Sequence, residues 1–227
     1  MIITQSKQLE VQILDLGHKS YKEVWNLQKQ MQLKRMNGEI GDVLILVEHD
    51  PVYTLGKNAN PDHLLQSRDR SIDVFNIERG GDITFHGPGQ LVGYPILDLS
   101  NYKKSVSWYM RSLEQLTIDV LKEFDISANR VEGLTGVWVG DEKIAAQGVR
   151  LTKWITMHGF SININTDERE EYLKYSSAIR RKEKRKVSIE KNRLNTIQDK
   201  EEFLLSVTEN GFGSGISIII FSGIVCL

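Results

Sequence analysis

Three glycine-bearing segments hold the residue types that could do chemistry. The first, RGGDITFHGPGQLVGYPILDL from Arg79 to Leu99, sets an arginine, an aspartate and a histidine among glycines and prolines. The second, TGVWVGDEKIAAQGVR, carries Lys143 and ends near Gly148, and the third, MHGFSININTD, carries His158 and Gly159. Without a Cβ, a backbone can take positive φ and bring its N–H groups against a ligand, although a tight turn leading into a strand uses the same residues. His86 and His158 have the side chain suited to proton transfer near neutral pH, with a loop-bonding imidazole as the plainer reading. Lys143 reads equally as a working cation or a solvated strand lysine. The histidines at 18, 49, 63, 86 and 158 are scattered and the single cysteine, Cys226, has no partner nearby, so no metal site is expected.

The elements that must position these residues follow from periodicity. Val11 to Leu16 and Leu91 to Leu97 alternate as strands, and Asp42 to Val47 is a short apolar run of the kind a buried strand has. EHDPVYTLGK, punctuated by Pro51 and Gly56, reads as a loop. Ser20 to Met36 places Val24, Leu27 and Met31 on one side of a helix. Ser105 to Phe124 is the clearest helix, with Val106, Tyr109, Met110, Leu113, Thr117, Val120, Leu121 and Phe124 at helical spacing, and it should lie against a sheet. Gly136 to Val139, Glu142 to Arg150 and Ile155 to Asn165 read as a meander of strands. The pattern is that of an α+β fold with a mixed central sheet flanked by helices, and not of a regular βαβ alternation. Neither a G-x-G-x-x-G fingerprint nor a P-loop is present.

The 227 residues suit one large domain, and a hydrophobic fraction of 40% with 26% charged residues is that of an ordinary soluble chain. Lys plus Arg (29) nearly cancel Asp plus Glu (30), so no global field draws nucleic acid or a membrane, and charged partners would be met locally. The start, MIITQSKQLEVQILDLG, lacks the features of a secretory signal, and one cysteine forms no internal disulfide, so a reducing cytoplasm is expected. After Thr166 the composition changes abruptly: DEREEYLKYSSAIRRKEKRKVSIEKNR is dominated by charges. The basic run from Arg180 to Lys186 lacks the interleaved aromatics of an RNA-binding strip and reads as a solvated face. The apolar tail from Ile216 to Leu227 falls short of the roughly 20 residues of a spanning helix and reads as a terminal strand.

Taken together, Arg79-Gly-Gly-Asp-Ile-Thr-Phe-His86-Gly-Pro-Gly-Gln, Gly136-Val-Trp-Val with Lys143-Ile-Ala-Ala-Gln-Gly-Val-Arg150, and His158-Gly-Phe resemble the octanoyltransferase family of lipoate biosynthesis, also called lipoyl(octanoyl) transferases. Glu48 to Gly56 is similar to that family's early loop, and the likeness spans roughly Asp42 to Thr166. The resemblance implies the fold of the biotin/lipoate protein ligase catalytic domain over residues 1–227. It also implies transfer of an octanoyl group from octanoyl-acyl carrier protein to a lysine on lipoyl domains of 2-oxoacid dehydrogenases or on the glycine-cleavage H protein, with no cofactor. By the same resemblance, Arg79, Gly80, Gly81, Asp82, Ile83, Thr84, Phe85 and His86 would line the acyl pocket. Ala146, Gln147 and Gly148, then Gly159, Phe160 and Ser161, would complete its walls, Gln147 standing where an apolar residue is usual. Lys143 matches the family lysine that lowers the pKa of a nucleophilic cysteine and handles protons, as an ammonium beside a thiol should.

The chain departs from the family at the nucleophile. The P-C-G-[IV] position, about thirty-four residues after the lysine, falls on Ser177 in Ser176-Ser177-Ala178-Ile179, and a weaker likeness resumes at Val187 to Lys191. Three readings stay open. Ser177 forms an oxyester with Lys143 as base; the chain binds acyl carrier protein or lipoyl domain without turnover; or residues 167–227 are a divergent or frame-shifted segment. Cys226, in an apolar context near the chain end, reads as a small hydrophobe and not as a substitute nucleophile.

Overall fold

The computed structural model describes residues 9–64, 68–166 and 216–219, the last four and Leu9 as backbone only. In chain order the elements are β1 (Leu9–Lys19), α1 (Tyr21–Met36), β2 (Asp42–His49), β3 (Val52–Leu55), β4 (Asp73–Asn76), β5 (Ile83–His86) and β6 (Gln90–Ile96), then α2 (Val106–Glu123), β7 (Val137–Val139), β8 (Glu142–Thr152), β9 (Ile155–Asn163) and β10 (Ile216–Ile219). Seven strands form one mixed sheet in the order β10-β1-β2-β6-β9-β8-β7, and β4-β3-β5 form a second, small sheet. In the large sheet β1 pairs parallel with β10 and with β2, and the strands from β2 through β6, β9 and β8 to β7 pair antiparallel; in the small one β3 pairs parallel with β4 and antiparallel with β5. Among the described residues no helix is long and apolar enough to cross a membrane.

The central strands of the large sheet, β2, β6 and β9, are buried on both faces, as the unbroken apolar run of β2 requires. Leu44 and Leu46 face one side with Leu91, Phe160 and Ile162, where Tyr109, Leu113, Leu116, Val120 and Leu121 of α2 cover them. Val43, Ile45 and Val47 face the other with Val92, Tyr94, Ile96 and Met157, beneath Tyr21 and Val24 of α1. Ser20 and Ser105 start the two helices, each accepting a hydrogen bond from the N–H three residues on, at Glu23 and Trp108.

Both helices differ from a plain apolar stripe. Leu27 and Met31 are only half-buried, and the buried line on α1 is Tyr21, Val24, Gln28 and Gln32. The reason lies in β9: His158 takes φ +59 inside the strand and turns its N–H out of the ladder. Gln28 Oε1 accepts that N–H at 3.0 Å, and Gln32 Nε2 donates to the Ile155 carbonyl at 3.0 Å. Amide side chains therefore do on α1 what aliphatic ones do elsewhere, because the surface beneath is exposed backbone. On α2, Val106 is 48% exposed while Glu114 is buried. The segment read as a loop between Glu48 and Lys57 contains β3, whose alternation Pro51 and Gly56 conceal; it pairs with β4 and β5. Ile83 to His86 is a strand as well, and the apolar tail pairs with β1 over Ile216 to Ile219.

Leu113 has no exposed surface. Leu113→Ala is expected to lower the unfolding free energy by about 2–5 kcal/mol in guanidinium titrations. Leu33→Ala, at a residue 55% exposed, is expected to change it by less than about 0.5 kcal/mol.

Candidate active-site cleft

A cleft with about 370 Å³ of space, part of it open solvent, lies between the α1 face of the large sheet and the small sheet. The three glycine-bearing segments meet there. Arg79, Thr84 and His86 line it from one side; Ala146, Gln147 and Gly148 of β8 and Gly159, Phe160 and Ser161 of β9 line it from another. Tyr21, Val92, Tyr94 and His158 complete the lining.

Strand parity explains which predicted residues are absent from it. Thr84 and His86 share one face of β5, whereas Ile83 and Phe85 point the other way and pack with Tyr53. Gly80 donates its N–H to the Val149 carbonyl at 3.0 Å, tying the turn to β8. Gly81 takes φ +88, and Asp82 accepts from the Asn60 N–H and bonds His63, so both belong to the rim.

Arg79 is the buried centre of this wall, only 7% exposed. Its Nη2 donates to the Thr54 carbonyl at 2.8 Å and hydroxyl at 3.0 Å, and its Nη1 to the Gly80 carbonyl at 2.9 Å. Burial lowers its pKa from the ordinary guanidinium value. A Cβ at Gly148 would come to 3.1 Å from Arg79 Cδ, and one at Gly56 to 2.8 Å from Arg79 Nη1. These two glycines thus make room for an arginine and the backbone beside it.

Two polar chains fix the other walls. His86 Nδ1 lies 2.7 Å from Gln90 Oε1, and Gln90 Nε2 donates to Asn163 Oδ1 at 2.8 Å, linking β5, β6 and β9. Behind Tyr94, fully buried His49 donates from Nδ1 to the Lys19 carbonyl (2.8 Å), so its Nε2 accepts the Tyr94 hydroxyl (2.9 Å). Burial brings the His49 pKa down to about 4. Burial, together with the nearby Arg79 charge, brings His158 down to about 4 as well. Its Nε2 stands 3.7 Å from Glu78 Oε2, beyond hydrogen-bonding reach, so it is a neutral imidazole near a carboxylate.

Lys143 is not among the lining residues. It lies three residues from Ala146, about 10 Å of strand. A β-bulge nevertheless turns it toward that side: Val137 pairs with Ala145 but Trp138 with Lys143, leaving Ile144 as an extra residue. Ile144 and Ala145 both enter the α2-side core, so Lys143 returns to the face that carries Ala146 and Gly148. Ser177 and Cys226 lie outside the described residues. Among the described residues no three His, Cys, Asp or Glu side chains group as a metal site would need. Tyr21, Val92 and Tyr94 escaped the sequence reading, although Val92 and Tyr94 alternate on the strand that follows the glycine block.

An unfolded imidazole titrates near 6.5, while folded His49 takes its proton only near pH 4. The stability from burying it neutral is complete above pH 6.5 and is lost as the pH falls toward 4, on the order of 3 kcal/mol. Denaturant titrations at pH 7 and 4.5 should show that loss, and His49→Gln should make it smaller by a comparable amount.

Known proteins match this chain in sequence and in fold. The family model for the lipoyl protein ligase A/B catalytic domain matches residues 20–209. An octanoyltransferase of Gloeobacter violaceus is 47% identical over 156 residues, covering 68% of this chain and 70% of its own. One of Solibacter usitatus is 49% identical over 156 residues, covering 67% and 71%. A T. acidophilum protein solved with bound lipoic acid superposes with a TM-score of 0.69 at 12% identity, covering 94% of this chain and 89% of its own. A lipoate-protein ligase A solved with ATP gives a TM-score of 0.65 at 11% identity, covering 95% and 90%. At those identities the structures speak for the fold, the sheet flanked by helices of lipoate ligase catalytic domains. The chain belongs to the lipoyl protein ligase A/B catalytic-domain family, and the curated relatives it matches at 47–49% identity are octanoyltransferases.

Proposed function

We propose that the chain transfers an octanoyl group from octanoyl-acyl carrier protein to a lysine of lipoyl domains, those of 2-oxoacid dehydrogenases or the glycine-cleavage H protein, in the cytoplasm and without ATP. The observation that carries this reading is the meeting of all three glycine-bearing segments on one cleft whose lining combines apolar Val92 and Ala146 with a single buried guanidinium. A thin alkyl chain suits the apolar part, and a polarised acyl carbonyl suits the polar part. The octanoyltransferase relatives support the same reading.

The chemistry divides between Lys143 and Ser177. With Lys143 neutral as base, the Ser177 hydroxyl gives up its proton and its oxygen attacks the thioester carbonyl carbon. The C–S bond then breaks, the carrier thiolate takes a proton, and an octanoyl oxyester remains. The acceptor lysine's amine attacks that ester, forming the amide and returning the hydroxyl to Ser177. A hydroxyl is a much weaker acid than the thiol usual at this position, so the base must be neutral, whereas a thiol needs only a neighbouring cation.

That weakness favours a second reading, a relative that binds carrier protein or lipoyl domain without turnover. Intact mass of a lipoyl domain after incubation with octanoyl-acyl carrier protein, ATP omitted, separates the two. A working transferase adds one octanoyl group, and Lys143→Ala slows the addition by about a hundredfold or more. No addition by the folded wild type, with addition by Ser177→Cys, contradicts the transferase reading and supports the silent binder. A strict requirement for ATP contradicts both.

A further inference from the structure

Glu114 is a buried carboxylate on α2, 2% exposed, and its oxygens are spent on the segment that leads into β7. Oε2 accepts from Arg130 Nε at 2.9 Å and from Arg111 Nη1 at 2.7 Å, and Oε1 accepts the Gly136 N–H at 3.3 Å. Arg130 extends the clamp, donating from Nη2 to the Arg111 carbonyl and to Gln115 Oε1. A carboxylate taken out of water at this cost must be held by donors, and one of its three is a backbone amide.

That amide belongs to a residue with an unusual neighbour. Gly136 takes φ +142, and a Cβ there would overlap Lys143 Cε and stand 2.9 Å from the Ala145 carbonyl oxygen. The stem of Lys143 therefore runs across bare backbone at Gly136. Its Nζ ends 5.2 Å from the centroid of the Trp138 ring, within reach of a cation–π contact. The bulge at Ile144 aims Lys143 at the cleft side of the sheet, and the trough at Gly136 determines where its amine lies.

We propose that Glu114 and Gly136 are positioning residues for Lys143: the carboxylate pins the Gly136 amide, and the missing Cβ forms the trough that holds the lysine stem. The geometry stands by itself; its consequence for octanoyl transfer rests on the role proposed above for Lys143. Neither residue lines the cleft, and both act through the lysine.

The test follows Lys143 directly. Trace acetylation of the native chain, read by peptide mass spectrometry, gives the labelling rate of Lys143 relative to exposed Lys22 and Lys122. In the wild type the packed stem should make Lys143 at least about threefold slower than either reference, since nucleophile access sets the rate. Gly136→Ala and Glu114→Leu should each raise its relative rate at least about threefold with the references unchanged, whereas Glu114→Gln, which keeps an acceptor for the Gly136 amide, should raise it less. A wild-type Lys143 labelled as fast as the references overturns the proposal, even if no variant folds. So does an unchanged rate in either variant shown to be folded by its melting curve. If the wild type transfers octanoyl groups, Gly136→Ala should lower kcat at least about tenfold with KM for the acyl donor within about threefold. Labelling that responds while transfer does not would leave the positioning intact and refute the role assigned to Lys143.

Discussion

The buried guanidinium of Arg79 is the constraint on which the site depends. A cation 7% exposed must find oxygen acceptors inside the protein, and it takes them from Thr54 in the small sheet and Gly80 in the adjoining turn. Meeting that requirement fixes the small sheet against the large one. Thr54 brings β3, the turn hangs from β8 through the bond from the Gly80 N–H to the Val149 carbonyl, and Gly148 leaves space for the arginine stem. The cleft is the gap that remains between the two sheets once this junction has formed.

The rest of the wall is stiffened by hydrogen-bonded chains that cross strand boundaries. His86, Gln90 and Asn163 join β5, β6 and β9, and Lys19, His49 and Tyr94 join β1, β2 and β6. Each network keeps polar atoms paired where water is excluded, which favours one arrangement of the walls over slipped alternatives. His158 stands apart from this pattern. Held at positive φ with its N–H on Gln28, it belongs to the sparsely populated backbone states that cluster at functional sites.

Much of the architecture was legible in the sequence, because β2, α2 and the β8–β9 meander obey simple periodicities. The misses have particular causes. Val52 to Leu55 was hidden by its flanking Pro51 and Gly56, which end a short strand as readily as they shape a loop. On α1, apolar spacing pointed to Leu27 and Met31, but the helix docks through Gln28 and Gln32 onto backbone, and hydrophobicity does not report such a partner. The family likeness supplied the cleft segments, yet it treated Ile83 and Phe85 like Thr84 and His86, which only the strand's alternation separates. Tyr21 reaches the cleft from the first turn of a helix more than fifty residues before the glycine block. The direction of Lys143 depends on one extra residue in a strand, and no sequence pattern announces a bulge.

Photo-crosslinking tests directly whether this cleft receives the acyl chain, without requiring turnover. An octanoyl chain bearing a terminal diazirine, carried as an amide on acyl carrier protein, would be irradiated with the full-length protein and the adducts mapped by peptide mass spectrometry. Adducts are expected on Val92, Tyr94 and Ala146, suppressed by excess octanoyl-pantetheine. Adducts on the α2 side of the sheet or scattered over the surface, unaffected by that competitor, would contradict it.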